Sequence, residues 1–313
     1  MLTLTLLRQH PLLVALGLAL IVAGAMCAYV MIRSARLAVS ELHPPRNRPR
    51  QPGESHLAGL HEVSYTASDG VTLSAWYVPS RNGAAVLLGH GFGANRETML
   101  PEARMLAGAG FGVLLADWRA HGASGGGQCT WGDLERRDVG AALDFLATRP
   151  EVQAKRIGAL GVSLGGVALV LAAARDQRLS AVAVEAVWTS LADEARLDMP
   201  RLGWISAWPQ LAVFRSAGID IDAIRPVDAV GAIAPRPLLL MYGGQDSWLP
   251  PEMRERIAAA APSAEFWLVP EAAHGGCRDA WPDEHRRRIL AFFERALCDG
   301  CAPREAACPA PHG

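Results

Sequence analysis

Ser163, Asp246 and His274 are residues of the types that can combine into an activated nucleophile. A serine hydroxyl attacks a carbonyl group only when a base removes its proton, and imidazole can do so near neutral pH. A carboxylate holds the imidazole in the correct tautomer and stabilises the imidazolium that forms. We therefore predict that Ser163 is the nucleophile, His274 the general base and Asp246 the acid that orients it.

Ser163 lies in the stretch LGVSLGGVAL, residues 160–169. The apolar run before it predicts a buried strand, and the run rich in alanine and leucine after it predicts a helix. Glycines two residues to either side, Gly161 and Gly165, let the backbone turn sharply and present the hydroxyl. Taken alone, the stretch also fits a glycine-rich turn whose serine caps the helix. Backbone N–H groups of Phe92 and Leu164 are the predicted oxyanion hole, because both follow strand ends.

Short apolar runs alternate with segments of helical length through most of the chain, which predicts an α/β fold with a mainly parallel sheet. An antiparallel pair flanks the turn signal SDG at residues 68–70. The predicted strands are Val63–Thr66, Leu73–Val78, Ala84–Leu88, Phe111–Ala116, Ile157–Val162, Ala181–Val184, Pro237–Tyr242 and Glu265–Val269. The predicted helices cover about 98–109, 134–148, 164–175, 252–261 and 283–297. Asp246 and His274 then follow the last two strands, at the sheet edge where functional loops gather.

Five motifs occur in a fixed order: HGFGANR, DWRAHGASGG, GVSLGG, GGQDSWLP and PEAAHGG. With them, the chain from about Val63 to Leu297 resembles the α/β-hydrolase superfamily. It is similar to the membrane-tethered or cytosolic esterase, acylhydrolase and serine-aminopeptidase-like branches. The resemblance implies an eight-stranded, mostly parallel sheet whose second strand is antiparallel. Trp118 and Ala120 depart from that branch, which more often has tyrosine and glycine there.

The N-terminal segment differs from the rest of the chain. Residues 12–32 run for 21 residues without a charge and as a helix would span roughly 31 Å of hydrocarbon, which predicts an uncleaved membrane anchor. A cleaved signal peptide is the alternative. Five arginines follow the anchor against one before it, which favours a cytoplasmic catalytic domain. The predicted division is a tail at 1–11, the anchor at 12–32, a Pro/Arg-rich linker at 33–59, a catalytic domain at 60–297 and a tail at 298–313.

The segment at about 188–234 is longer than a simple crossover between two strands requires. It is rich in large apolar side chains, and we predict that it forms a small lid whose Trp188, Trp204 and Trp208 line the substrate pocket. Packing within the domain is the alternative role for these residues.

The predicted function is a serine hydrolase that cleaves carboxylic esters of small or medium acyl groups through an acyl-enzyme. The substrate is expected to be reached at or near a membrane surface. A soluble fragment from about Leu60 is therefore expected to retain turnover of water-soluble esters and to lose activity on esters presented in vesicles. The alternatives are a serine peptidase, in which Glu185 would hold a peptide amine, and a catalytically silent binding protein on the same scaffold.

Composition limits the partners and cofactors of the protein. The chain has 313 residues, a formal net charge of −1 and no domain-wide basic excess, so nucleic acid is not an expected partner. The sequence leaves the oligomeric state open. No organic cofactor is expected. The final tail has the spacing C-x2-C-x6-C-x3-H, which can close a zinc site, but we predict an unstructured tail without metal.

Overall fold

The computed structural model describes residues 11–197 and 199–298. The predicted tails at 1–11 and 298–313 lie outside this range except for Pro11 and Cys298. The expectation of a metal-free C-terminal tail therefore also lies outside the described residues.

Eight strands form a single sheet in the order β1-β2-β4-β3-β5-β6-β7-β8. The pairs β1–β2 and β2–β4 are antiparallel, and every other pair is parallel. The strands are β1 His61–Thr66, β2 Thr72–Val78, β3 Ala85–Gly89, β4 Gly112–Ala116, β5 Ile157–Val162, β6 Leu179–Glu185, β7 Leu238–Gly243 and β8 Glu265–Val269. This topology confirms the predicted sheet, including its antiparallel second strand.

Helices cover both faces of the sheet, which is why its central strands are continuous apolar runs. The helices are α1 Pro11–Leu42, α2 Leu100–Gly108, α3 Glu135–Ala147, α4 Leu164–Ala173, α5 Leu191–Glu194, α6 Trp204–Ser216, α7 Pro226–Ala229, α8 Pro251–Ala260, α9 Cys277–Ala280 and α10 Pro282–Leu297. Val139 of α3 and Ile257 of α8 belong to the buried cluster on one face. Leu106 of α2 and Phe292 of α10 belong to the cluster on the other.

Helix α1 is ten residues longer at its C-terminal end than the predicted anchor. Its apolar part is long and hydrophobic enough to cross a membrane, and the side chains there are mostly exposed. Ser34, Ala38 and Leu42 are buried at a spacing of four residues, which places them on one helix face. Residues 33–42 therefore belong to the helix and not to a linker, because one side of this stretch packs on the catalytic domain while Arg33 and Arg36 point outward.

The chain that follows helix α1 is held against the catalytic domain. The backbone N–H of Cys129 donates to the carbonyl of Leu42 over 2.8 Å. The Arg46 guanidinium donates to the carbonyl of Ser124 over 2.8 Å, and the Asn95 amide donates to the carbonyl of Asn47 over 2.9 Å. Part of the segment predicted as a linker is thus held to the domain by hydrogen bonds at Arg46 and Asn47.

The segment between β6 and β7 contains the short helices α5 and α7 and the longer helix α6. The buried face of α6 includes Ala207, Leu211 and Phe214, which share one cluster with Ala38 and Leu42 of α1. Helix α6 therefore packs against the C-terminal part of helix α1. The amide of Gln210 donates a 2.8 Å hydrogen bond to the Glu41 carboxylate across this contact.

Candidate active site

Ser163 occupies the turn between β5 and α4 in a backbone conformation that non-glycine residues rarely adopt, with φ +53° and ψ −120°. A Cβ on Gly161 would lie 2.8 Å from the backbone carbon of Gly165. One on Gly165 would lie 2.5 Å from the carbonyl oxygen of Gly89. Both neighbours are backbone and cannot move aside, so this turn requires glycine at both positions. The strain at Ser163 is of the kind found where a functional side chain must be held in a fixed position.

The structure brings Ser163, His274 and Asp246 together from the ends of three strands. His274 Nε2 lies 3.0 Å from Ser163 Oγ, and His274 Nδ1 lies 2.8 Å from Asp246 Oδ2. These distances are within the range that a nucleophile and its base require.

The Asp246 carboxylate is buried and is held on both oxygens. Its Oδ1 accepts hydrogen bonds of 2.9 and 3.0 Å from the backbone N–H groups of Trp248 and Leu249. Its Oδ2 faces His274, so an ionised Asp246 accepts from Nδ1–H. In that tautomer Nε2 carries the lone pair that can accept the Ser163 proton.

Two backbone N–H groups beside Ser163 are available to a ligand. Leu164 directly follows Ser163 in the chain, and Phe92 belongs to the loop after β3, where a Cβ on Gly91 would lie only 3.6 Å from Ser163 Cβ. Within residues 11–197 and 199–298, neither N–H group donates to a protein acceptor. Leu164 is the first residue of helix α4, where an unpaired N–H group and the helix dipole favour negative charge.

His90 orients the loop that carries Phe92. Trp118 N–H donates to His90 Nε2 over 3.2 Å, so the ring donates from Nδ1 to the carbonyl of Gly91 over 2.7 Å. That carbonyl and the N–H of Phe92 belong to one planar trans peptide and point in opposite directions. His90 therefore determines where the Phe92 N–H points. Burial lowers the pKa of His90 to about 3, which keeps the ring neutral. The sequence analysis assigned no role to His90, although it directly follows β3.

The loop after β4 has a structural role. Asp117 accepts hydrogen bonds from the N–H groups of Arg96 (2.7 Å) and Ala123 (2.8 Å), and Arg119 forms an ion pair with Asp138. Ala120 has φ +60°, a conformation that favours glycine.

A cavity of about 640 Å³ opens over Ser163 and His274. Its size is within the range of about 300 to 1,000 Å³ that is usual for small-molecule sites. Its apolar lining includes Phe92, Trp131, Trp188 and Leu249. Trp188, from the segment between β6 and β7, is also among the residues that line the cavity.

Trp204 and Trp208, which the sequence also suggests for the substrate pocket, do not line this cavity. They are 54% and 60% exposed because they lie on the outer face of helix α6. The Arg196 guanidinium lies 3.5 Å from the centre of the Trp204 ring.

The sequence analysis missed a wall of the cavity that consists of Leu37, Ser40, Glu41 and Pro45. The four-residue spacing of Ser34, Ala38 and Leu42 was the available signal, since it marks a helix face that packs against the domain.

The carboxylates that line the cavity do not include Glu185, which the sequence suggests for holding a peptide amine. Glu185 is buried, accepts a 2.8 Å hydrogen bond from the N–H of Cys277 and does not line the cavity. Burial raises the pKa of its carboxyl group. Glu41 and Glu194 line the cavity instead. Among residues 11–197 and 199–298, no group of three or more His, Cys, Asp or Glu side chains is arranged to hold a metal ion.

Comparisons with known proteins agree with this architecture. A family profile described as "Serine aminopeptidase, S33" matches residues 80–226, which include Ser163 but end before Asp246. The chain is 31% identical over 253 residues to the α/β-hydrolase domain-containing protein WAV2 of Arabidopsis thaliana, covering 75% of this chain and 78% of that protein. It is 25% identical over 286 residues to YfhR of Escherichia coli K12, covering 87% of this chain and 92% of that protein. It superposes on the Pyrococcus furiosus esterase Pf2001 with a TM-score of 0.69 and 26% identity, over 82% of this chain and 98% of that structure.

Proposed function

The chain belongs to the α/β-hydrolase superfamily, and on this basis we propose that it is a serine hydrolase that cleaves carboxylic esters through an acyl-enzyme intermediate. The observation that carries the proposal is the position of His274, whose two ring nitrogens reach Ser163 and Asp246. Similarity to an esterase over nearly its whole length supports the choice of ester chemistry.

In the acylation step, Ser163 Oγ attacks the ester carbonyl carbon while His274 Nε2 takes the hydroxyl proton. The carbonyl oxygen becomes an oxyanion, and the N–H groups of Phe92 and Leu164 donate to it. Collapse of this intermediate breaks the bond to the alcohol oxygen, which leaves with the proton from His274. The acyl group remains on Ser163.

In the deacylation step, a water molecule takes the place of the alcohol. His274 removes its proton as the water oxygen attacks the acyl carbon, and the same two N–H groups stabilise the second oxyanion. The bond to Ser163 Oγ then breaks, and Oγ recovers the proton from His274. A carboxylic acid leaves and the free enzyme is restored.

The test measures two properties of the wild type and its variants: labelling by a fluorophosphonate probe and turnover of a 4-methylumbelliferyl ester. Ser163→Ala is expected to abolish both, because the three residues act as a unit. Ser216→Ala is the matched control, since Ser216 is an exposed serine near the end of α6. Wild-type turnover by purified Ser163→Ala, or an unlabelled and inactive wild type, would refute the proposal, and the second result would favour a silent binding protein.

A serine aminopeptidase is the second candidate function. The S33 profile match supports it, and so do Glu41 and Glu194, because a carboxylate in the cavity is what a substrate amine would require. Glu185, which the sequence suggests for this role, accepts a hydrogen bond from the backbone N–H of Cys277 and does not line the cavity. Faster cleavage of aminoacyl anilides than of any acyl ester would favour this candidate, and loss of that preference in Glu194→Gln would locate the amine site.

We also propose that helix α1 anchors the enzyme in a membrane. The apolar part of α1 is followed by five arginines, whereas Arg8 alone precedes it. This bias favours a catalytic domain on the cytoplasmic side. Protease digestion of sealed, oriented vesicles tests the orientation, and protection of the catalytic domain in right-side-out vesicles is the expected result.

A further inference from the structure

Helix α1 lies beside the site of the proposed reaction. Leu37, Ser40 and Glu41 lie in its last two turns and line the same cavity as Ser163 and His274. The neighbouring residues Ala38 and Leu42 are buried in the core of the catalytic domain, so this wall is fixed in place. The helix that is apolar enough to cross a membrane is thus also a wall of the active-site cavity.

The apolar part of the helix and the cavity are close along the helix axis. Leu37 is five residues beyond Ile32, the last residue of the uncharged run, and a helix rises about 1.5 Å per residue. The cavity wall therefore begins about 8 Å beyond the membrane-spanning part. The two headgroup layers together add about 10 to 15 Å to the hydrocarbon thickness, or roughly 5 to 8 Å each, so the cavity wall begins at the outer edge of one headgroup layer.

The exposed surface of helix α6 is also apolar. Trp204, Ile205 and Trp208 lie on one face of α6, and each is more than half exposed. Through its other, buried face, helix α6 packs against the C-terminal part of α1, which follows the membrane-spanning part. Tryptophan is enriched at the interface between membrane and water.

We propose, building on the proposed ester hydrolysis, that the cavity takes esters dissolved in the membrane and that their acyl chain lies against Leu37. Leu37 is then a specificity-determining residue. The chain of a membrane-borne ester reaches Ser163 along helix α1, with the ester group between the Phe92 and Leu164 N–H groups and the chain directed back toward the bilayer. A short, water-soluble ester fills only the part of the cavity near Ser163.

The test uses the full-length protein in lipid nanodiscs with two substrates, 4-methylumbelliferyl butyrate supplied in water and 4-methylumbelliferyl oleate dissolved in the bilayer. Leu37→Trp fills the cavity along α1. It is expected to lower the ratio of kcat/KM for the oleate to kcat/KM for the butyrate roughly tenfold or more, since small changes in an apolar pocket have effects of this size. Val39→Trp is the matched control, because Val39 is exposed on the same helix and does not line the cavity.

Leu37→Ala provides a second variant, because it widens the same wall and is expected to reduce discrimination between the two esters. Fluorophosphonate titration of Ser163 counts the folded sites in every preparation. Two results would overturn this inference: equal ratios of kcat/KM for oleate to kcat/KM for butyrate in Leu37→Trp, Leu37→Ala and Val39→Trp, or a wild type that does not hydrolyse the oleate. In either case, active-site labelling and butyrate turnover would still support ester hydrolysis. Turnover of either ester by Ser163→Ala would instead contradict the proposed function itself.

Discussion

The backbone N–H of Cys129 donates a 2.8 Å hydrogen bond to the carbonyl of Leu42, which joins the last residue of helix α1 to the loop that follows β4. This bond lies within a larger contact, since Leu42 and Ala38 are buried in the same cluster as Leu211. The C-terminal end of helix α1 is therefore part of the catalytic domain's core and not a detachable tether.

Two truncations distinguish an integral helix from a tether. A fragment that begins at Arg33 keeps Ala38, Leu42 and the cavity wall, and we expect it to retain butyrate turnover in detergent. A fragment that begins at Leu60 exposes the face of α6 that α1 covers, and we expect a lower melting temperature and reduced turnover because buried apolar area returns to water. This differs from the expectation drawn from the sequence that the Leu60 fragment retains turnover of water-soluble esters. Equal melting temperatures and turnover for the two fragments would contradict it.

His90 is predicted to act as a positioning residue for the oxyanion hole. His90→Leu removes the donor to the Gly91 carbonyl, and we expect kcat to fall roughly 10- to 100-fold with little change in KM, less than complete loss of one oxyanion donor would cost. His90→Asn can place an amide N–H near the former Nδ1 and should recover part of kcat. A purely structural role would change the melting temperature but would not produce this separation of kcat from KM.

The tryptophans of the lid segment are predicted to differ in effect. Trp188 is buried and lines the cavity, so Trp188→Ala should impair butyrate turnover and destabilise the protein by about 3 to 5 kcal/mol. The double variant Trp204→Ala/Trp208→Ala removes exposed rings and should leave butyrate turnover in detergent unchanged. Urea denaturation and initial rates test both. Similar losses in the two variants would show that the outer face of α6 supports the cavity after all.

His285 is predicted to contribute to acid destabilisation. Burial against Trp267 lowers the pKa of His285 from 6.5 to about 4. Below pH 6.5, His285 therefore binds a proton in the unfolded chain but stays neutral in the folded protein. The free energy of unfolding falls as the pH drops from 6.5 to 4, by up to about 3 kcal/mol for this residue. His285→Leu should flatten this part of the curve of unfolding free energy against pH. His90 will still contribute, because its pKa is lowered to about 3. An unchanged slope in His285→Leu would exclude the assigned role.

The sheet and the residues at its edge were largely predictable because their signals are local. Buried parallel strands such as β5 and β7 are short uninterrupted apolar runs, and the loops that follow them contain Ser163 and Asp246. The full length of α1 was missed because Arg33 and Arg36 interrupt the apolar run, although Ala38 and Leu42 keep the helical spacing.

The substrate cavity was less predictable because its walls are distant in sequence. Leu37 and Trp188 are separated by about 150 residues and meet only in the folded chain. The exposed positions of Trp204 and Trp208 could not be derived from composition, since the packing of α6 against α1 decides which of its faces is buried.

The continuity of helix α1 with the catalytic domain also has a geometric consequence. Because residues 33–42 remain helical and are packed against the domain, there is no hinge within this helix about which the active site could swing once α1 is embedded. The cavity would keep a nearly constant height and tilt above its own leaflet. For the proposed membrane-dissolved esters, we therefore expect substrates to arrive by lateral diffusion in two dimensions, from the membrane that contains the enzyme rather than from a neighbouring vesicle.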